Sequence, residues 1–347
     1  MRKVLLFILS AIYKFGVSVR NALYDYGLVK SEETILPTIS VGNLAVGGTG
    51  KTPHSEFIIR ELLNAGHRVA YLSRGYMRDT KGMVVAEASS TAADIGDEAV
   101  QVKRKFPELT VVVDADRRRA LRYLKDNTKT DVVVLDDAYQ HRRIIPTINI
   151  LLLDCNYSPF EEKMLPLGRM RESVHGIDRA DIVIVTKCPK TLKPVDQMTM
   201  RTELSLLSSQ KLYFTSLLYG KPFNVETGEE MDESALAGRN LLLVTGIERP
   251  LYLKRYLQSL GAKVEHMRFS DHHYYEDSDF ENMVRRFEDI EDENKIVVTT
   301  EKDVARLSAC DEMPDILKNN LYCISIEPVF VGNKFDVEKE LAETMAE

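Results

Sequence analysis

Residues 39–53 read ISVGNLAVGGTGKTP. The close of this stretch, Gly50-Lys51-Thr52, matches the end of the phosphate-loop pattern G-x-x-x-x-G-K-[ST], but its opening position is Ala45 instead of Gly. An apolar run, Thr34 to Val41, leads into the glycines. A helical pattern follows to Ala65, with Gly66 as its stop. Strand, glycine loop and helix in that order are what phosphate binding requires, because loop amides and a helix N-terminus then point at one anion. Gly47, Gly48, Thr49 and Gly50 supply the cradle, Lys51 the charge, and Thr52 a hydroxyl for Mg²⁺. Ala45 is tolerable if its φ is negative.

Working outward, further apolar strands alternate with helices. Strands are expected at Val69–Ser73, Met83–Ala86, Leu109–Val113, Asp131–Leu135, Asn149–Leu153 and Asp181–Thr186, and helices at Glu98–Phe106 and Arg117–Lys125. Continuous apolar strands such as DVVVL and DIVIVT belong to a parallel sheet covered on both faces. The expected fold is therefore α/β: a doubly wound, mostly parallel P-loop domain over 31–218. The acidic, turn-rich segment 219–238 reads as a linker. A second, smaller α/β pattern occupies 239–347, with helices expected at Val304–Ala309 and from Asp336 to the end.

Residues 1–30 form a third unit. Leu5, Ile8, Ile12, Phe15, Val19, Ala22 and Tyr26 recur at helical spacing, opposite Ser10, Lys14, Ser18, Asn21 and Asp25. This is an amphipathic helix, read here as lying on a membrane surface, with packing on its own domain as the plainer alternative. The apolar stretch is too short to be expected to span a bilayer, and no A-x-A site follows it.

The chain has 347 residues, 44% hydrophobic and 29% charged, with a formal net charge of −7. That balance is globular and argues against a nucleic-acid partner, which needs a basic surface. Cys155, Cys188, Cys310 and Cys323 lack zinc or redox spacing, so free thiols in a reducing compartment are expected.

Four other stretches carry chemistry. DVVVLDDAYQH (131–141) ends an apolar strand in Asp136 and Asp137, a Walker B-like element for Mg²⁺ in which spacing does not separate the two carboxylates. VVVDADRRRAL (111–121) brings Asp114 and Asp116 to the same sheet edge, as a proton acceptor or as a helix cap. Asp271, His272 and His273 could bind metal or move protons. Asn333-Lys334-Phe335-Asp336 matches a guanine-reading pattern, but at the end of the second domain, away from the phosphate loop. Arginines 74, 78, 117–119, 142, 143, 169 and 171 suit an anionic substrate.

Together the stretches SVGNLAVGGTGKTP, LSRGYMR (72–78), GDEA (96–99), Asp116-Arg117, LDDAYQHR (135–142), LPLGRMRES (165–173), VTK (185–187), SDHHYY (270–275) and TTEKDVARL (299–307) resemble the tetraacyldisaccharide 4′-kinase family over nearly the whole chain. The resemblance implies transfer of phosphate from ATP, with Mg²⁺, to the 4′-hydroxyl of a tetraacylated glucosamine disaccharide 1-phosphate, a lipid A precursor. It also implies peripheral attachment to the cytoplasmic face of the inner membrane, with no obligate protein partner. Carried over by motif, Asp116 is the general base with His272 as its partner, Lys51 and Thr52 hold phosphates and Mg²⁺ beside Asp136 and Asp137, and Gln140 and Arg171 join the site. Asp116→Ala is then expected to lose most of kcat. Ala138 departs from the family's usual Gly and requires that the loop avoid positive φ there. A P-loop GTPase switch and a non-catalytic membrane adaptor are the rival classes.

Overall fold

The computed structural model describes residues 2–308, 310 and 313–346. Ala309 and Glu347, expected helix ends, lie outside the described residues. The chain opens with helix α1 (Arg2–Asp25) and a short strand β1 (Glu32–Glu33). The first lobe then runs β2 (Thr38–Asn43), α2 (Lys51–Asn64), β3 (Val69–Ser73), β4 (Val84–Val85), α3 (Ala92–Ile95), α4 (Asp97–Lys105) and β5 (Thr110–Val113). It continues through α5 (Arg117–Asn127), β6 (Val132–Asp136), β7 (Ile144–Ile145), β8 (Ile148–Asp154), β9 (Ile182–Thr186), α6 (Pro194–Glu203) and β10 (Lys211–Tyr219). The second lobe comprises β11 (Phe223–Asn224), β12 (Asn240–Thr245), α7 (Leu251–Ser259), β13 (Lys263–Arg268), α8 (Asp277–Glu288), β14 (Ile296–Thr300), α9 (Glu301–Leu307), α10 (Asp315–Asn319) and β15 (Leu321–Ile324). Last come β16 (Ile326–Phe330) and α11 (Val337–Ala346).

Nine strands form the first sheet in the order β16-β10-β9-β8-β2-β6-β3-β5-β4. All neighbours are parallel except the two edge strands, β16 against β10 and β4 against β5. β2, β3, β6 and β9 are buried at every position, as continuous apolar strands must be when helices cover both faces. One face packs Ile58, Ile59 and Leu62 of α2 over Ile39, Val41 and Val134; the other packs Ala120, Leu121 and Leu124 of α5 over Leu72, Val133 and Leu135. From β2 the chain winds outward to β3 and β5, returns through β6, and then builds β8 to β10 on the other side. The reversal falls beside β2, the usual ligand position of such sheets.

The second sheet has the order β11-β15-β14-β12-β13 and its own core around Leu242, Val244, Phe280, Met283 and Phe287. A clean division at 219–238 and 239–347 does not describe this topology. β11 lies within the expected linker and pairs with β15, while β16 leaves the second lobe and returns to the first sheet. Phe335, Val337 and Leu341 then pack into the core beneath α2. The reason is local: β10 would otherwise expose an open edge, and β16 covers it, with Pro328 acceptable in an edge strand.

Helix α1 has 24 residues, longer than its interrupted apolar run suggests, and is long and apolar enough by length and composition to cross a membrane. A narrow mixed stripe of Leu6, Ser10, Tyr13, Val17 and Asn21 faces the body, while Lys14 and Ser18 of the expected polar side are exposed. Ser10 Oγ donates to Met164 O at 2.9 Å, Tyr13 OH to Arg171 O at 3.0 Å, and Asn21 Nδ2 to Glu172 at 3.0 Å. Val4, Leu5, Phe7, Ile8, Ile12, Phe15 and Val19 are exposed.

Candidate active site

The phosphate loop joins the C-terminal end of β2 to α2. Gly50 has φ 92° and turns the chain into the helix, a left-handed conformation that favours glycine. Gly42 serves packing instead. A Cβ there would lie 2.6 Å from Tyr139 Cβ, so its absence lets the loop after β6 approach β2. Asn43 Nδ2 donates to Thr49 Oγ1 at 2.8 Å, and Thr186 Oγ1 donates to Thr49 O at 2.9 Å, fixing the loop from two strands. Ala45 is not among the positive-φ residues and bridges to Met170, so the missing glycine carries no strain.

Thr52 Oγ1 donates to Asp136 Oδ2 at 3.2 Å, and Tyr71 OH donates to the same oxygen at 2.9 Å. Asp136 Oδ1 is buried with no partner. Burial, reinforced by the charge of Glu98, pushes the Asp136 carboxyl up to about 7 against the opposing charge of Lys51. Asp137 stands apart in chemistry. It takes φ 49°, which relieves Ala138 of that conformation, and pairs with Arg171 at 2.7 Å and Lys51 at 3.7 Å. Burial opposes its charge, but Lys51 and Arg171 hold its carboxyl below the ordinary range. The two aspartates are thus separable: Asp136 carries the open oxygen, Asp137 is committed to cations. Gln140 Nε2 donates to Asn43 O at 2.7 Å and to Glu172 at 2.9 Å, while its Oε1 accepts from Arg171 at 3.3 Å.

Asp116 caps α5. Its Oδ1 accepts from the Arg118 backbone at 3.2 Å and from Arg118 Nε at 3.4 Å. Asp114 is buried against Arg119, in a two-point pair at 2.7 and 2.8 Å. His272 has another partner: its Nδ1 lies 2.9 Å from Asp97 Oδ2, across the lobe boundary, while its Nε2 lies 3.1 Å from Lys302 Nζ. Lysine only donates, so the network gives His272 a proton on Nδ1 and a lone pair on Nε2. Burial would raise the Asp97 carboxyl, but the His272 hydrogen bond and the charge of Lys302 hold it low. Asp97 belongs to GDEA, His272 to SDHHYY and Lys302 to TTEKDVARL, so three motifs distant in sequence meet at one point. Sequence reasoning missed Asp97 and Glu98. GDEA was visible, but the residue that gives it a role is 175 positions downstream.

Asp271, His272 and His273 do not gather around a metal, because His273 turns away to Asp279 at 2.8 Å. Among the described residues no group of three or more His, Cys, Asp or Glu forms an all-protein metal site. The Asn333–Asp336 match sits on the first sheet after all, just beyond β16. That strand ends at Phe330, opposite Thr215 of β10, and the match that follows is committed to packing, with Phe335 buried in the core. Of the arginines, 118, 119, 142, 169 and 171 are ion-paired; Arg74 and Arg143 are exposed and show no ion pair among the described residues.

The second lobe also reaches the loop. Glu248, between β12 and α7, places its carboxylate on the Gly48 N–H and against Gly47. Beside it Arg249 pairs with Asp154, which also holds Lys187 at 2.8 Å, and Lys187 donates to Gly48 O. The Gly48 N–H is thus turned outward to a carboxylate oxygen rather than into the loop's own backbone.

Residues 2–346 match the model of a family described as tetraacyldisaccharide-1-P 4′-kinase. A relative from Parabacteroides distasonis named tetraacyldisaccharide 4′-kinase is 43% identical over 340 residues, 96% of this chain and 91% of the relative. Another of that name, from Phocaeicola vulgatus, is 42% identical over 338 residues, 95% of this chain and 91% of the relative. The solved structure of LpxK from Aquifex aeolicus in complex with ATP is 26% identical, covers 99% of both chains and superposes with a TM-score of 0.76.

Proposed function

The chain belongs to the tetraacyldisaccharide 4′-kinase family, and from that premise we propose how its residues move the γ-phosphoryl group of ATP to the 4′-hydroxyl of a tetraacylated glucosamine disaccharide 1-phosphate in lipid A biosynthesis. The observation that carries the reading is the meeting of two half-sites at one sheet edge: the phosphate loop with Thr52 and Asp136, and the Asp97–His272 pair. Loop amides from Gly47 to Thr52 and the Lys51 ammonium bind the phosphates and offset charge that grows in an in-line transfer.

The residues fit a Mg²⁺ ion. Asp136 offers a buried, unpartnered oxygen and Thr52 a hydroxyl beside it, the sparse donor set such an ion takes when phosphates and water complete its shell. Held there by Asp136 and Thr52, the ion would neutralise phosphate charge during the transfer. Arg171 orients Asp137 and Gln140 at the mouth of the same site.

The acceptor hydroxyl gives its proton to His272 Nε2, competing with Lys302 for that lone pair, while Asp97 holds the ring and stabilises the cation formed. This reading favours Asp97 over Asp116 as the carboxylate of the pair, because Asp116 is turned into the α5 cap. Arg74 and Arg143, exposed and without an ion pair among the described residues, suit the anionic acceptor. The exposed apolar side of α1 suits a membrane surface as a monotopic anchor, since a crossing helix would lose its bonds to residues 164–172.

The test is transfer of radiolabel from [γ-³²P]ATP to a disaccharide 1-phosphate lipid. Asp97→Asn and His272→Ala are expected to lower kcat by about 10²–10⁴-fold with little change in KM for ATP. Asp116→Ala is expected to cost about 1 kcal/mol of helix capping. A kcat loss from Asp116→Ala as large as that from Asp97→Asn would return the base to Asp116. GTP hydrolysis without acceptor, and no labelled lipid, would sink the kinase reading.

A further inference from the structure

Glu172 is a carboxylate without a role in the transfer just described, yet it is completely buried. Burying a charged group is costly unless several donors satisfy it, and here three do. Gln140 Nε2 donates to Oε1 at 2.9 Å; Asn21 Nδ2 and Arg179 donate to Oε2 at 3.0 and 2.8 Å. These donors come from unrelated places: the loop after β6, helix α1, and the turn Val174–Arg179. Gly176 keeps the pocket tight, since a Cβ there would lie 2.7 Å from Leu44 and 3.2 Å from the Glu172 carboxylate carbon.

From Glu172 the contacts run without a gap to the phosphate loop. Gln140 carries the link to Arg171, Arg171 to Asp137, and Asp137 to Lys51. A second branch runs from Gln140 to Asn43 O, and from the Asn43 side chain to Thr49. The segment bearing Glu172 is itself clamped between the two sites. Arg171 N donates to Leu44 O at 2.7 Å and Val46 N to Arg169 O at 2.8 Å on the loop side. On the other side Ser10 and Tyr13 of α1 hold Met164 O and Arg171 O.

We propose that Glu172 is a positioning residue that couples α1 to the phosphate-transfer site: the same buried carboxylate anchors Asn21 of the interfacial helix and the Gln140–Arg171 arm of the catalytic edge. Seating the exposed apolar side of α1 in a lipid surface then fixes the arm and the flank of the loop. An α1 free in water is held to the body by its polar contacts, those of Ser10, Tyr13, Arg20, Asn21 and Asp25, and the arm loosens with it. The coupling rests on the kinase reading above for its activity readout, but not for its structural one.

Two measurements test it. In steady-state assays with acceptor in mixed micelles, Glu172→Gln, which keeps shape and removes charge, is expected to lower kcat about 10–100-fold, as loss of a supporting partner does elsewhere, with KM for ATP within about threefold. Asn21→Ala is expected to lower kcat less, and to add nothing in the Glu172→Gln background, because both act through one contact. Independent losses that multiply would overturn the proposal, as would a Glu172→Gln protein that loses only thermal stability. Hydrogen exchange, which needs no turnover, is read on residues 44–49 and 164–172 with and without vesicles of phosphatidylethanolamine and phosphatidylglycerol. Vesicles are expected to protect both segments in the wild type and neither in Asn21→Ala, although both proteins pellet with the vesicles. Equal protection in the two proteins refutes the coupling; absence of labelled lipid with protection intact refutes only the kinase reading.

Discussion

At the scale of single residues, His54 ties the loop to the far side of the sheet. Its Nδ1 lies 2.7 Å from Gly50 O and its Nε2 lies 3.0 Å from Thr215 Oγ1, an arrangement a neutral ring satisfies by donating at one nitrogen and accepting at the other. Burial drives its pKa down from 6.5 to about 4. A folded value below the unfolded one means stability is fully present above pH 6.5 and is lost as pH falls through about 4. The loss is on the order of 3 kcal/mol over that window. Urea midpoints should therefore drop between pH 7 and 4.5 in the wild type and drop less in His54→Gln; an equal drop would remove His54 as a cause. Glu248 makes a second prediction. In the proposed site, nucleotide phosphates would compete with its carboxylate for the Gly48 N–H, so Glu248→Gln is expected to tighten ATP binding by about tenfold in calorimetry. Unchanged affinity would mean the carboxylate leaves the loop at no cost.

Elements differ in how much of themselves the sequence discloses. β3, β6 and β9 were legible to within a residue because a strand buried on both faces must be apolar throughout. The phosphate loop was legible because its chemistry fixes residue type at each position. Asp97 was not: a helix first turn welcomes Asp for its own reasons, and nothing local announces a histidine from another lobe. β16 was hidden similarly, since its pairing with β10 is set by an open edge over a hundred positions earlier. Helix α1 lies between these cases. Its periodicity predicted an amphipathic helix, but hydrophobic spacing does not say which side meets the body. Ser10, Tyr13 and Asn21 decide that by bonding to backbone and carboxylate oxygens. Phe7→Asp with Phe15→Asp should then abolish pelleting with anionic vesicles and leave thermal stability within about 0.5 kcal/mol, both side chains being exposed. A large fall in melting temperature would show that this face is packed after all.

On the scale of the whole molecule, the second lobe is an insertion between neighbouring strands of the first sheet. Tyr219 at the end of β10 faces Ile326 at the start of β16, and Gly220 N donates to Ser325 O at 3.0 Å, so the two connections between lobes run side by side. Stopping the chain after Ser325 removes β16 and the Phe335, Val337 and Leu341 contribution to the core under α2. We expect that truncation to be insoluble or to melt far below the full chain. Excising 221–324 and joining the ends with a short turn should preserve the first lobe's cooperative melt; if it fails while the truncation folds, the edge strand is dispensable. The same topology has a consequence during synthesis. When β10 leaves the ribosome, its final neighbour is still about a hundred codons from being made, a delay on the order of ten seconds at ordinary elongation rates. For that interval the nascent sheet carries a bare edge and an unfilled core, so the chain is most in need of a chaperone while its own last strand is still untranslated.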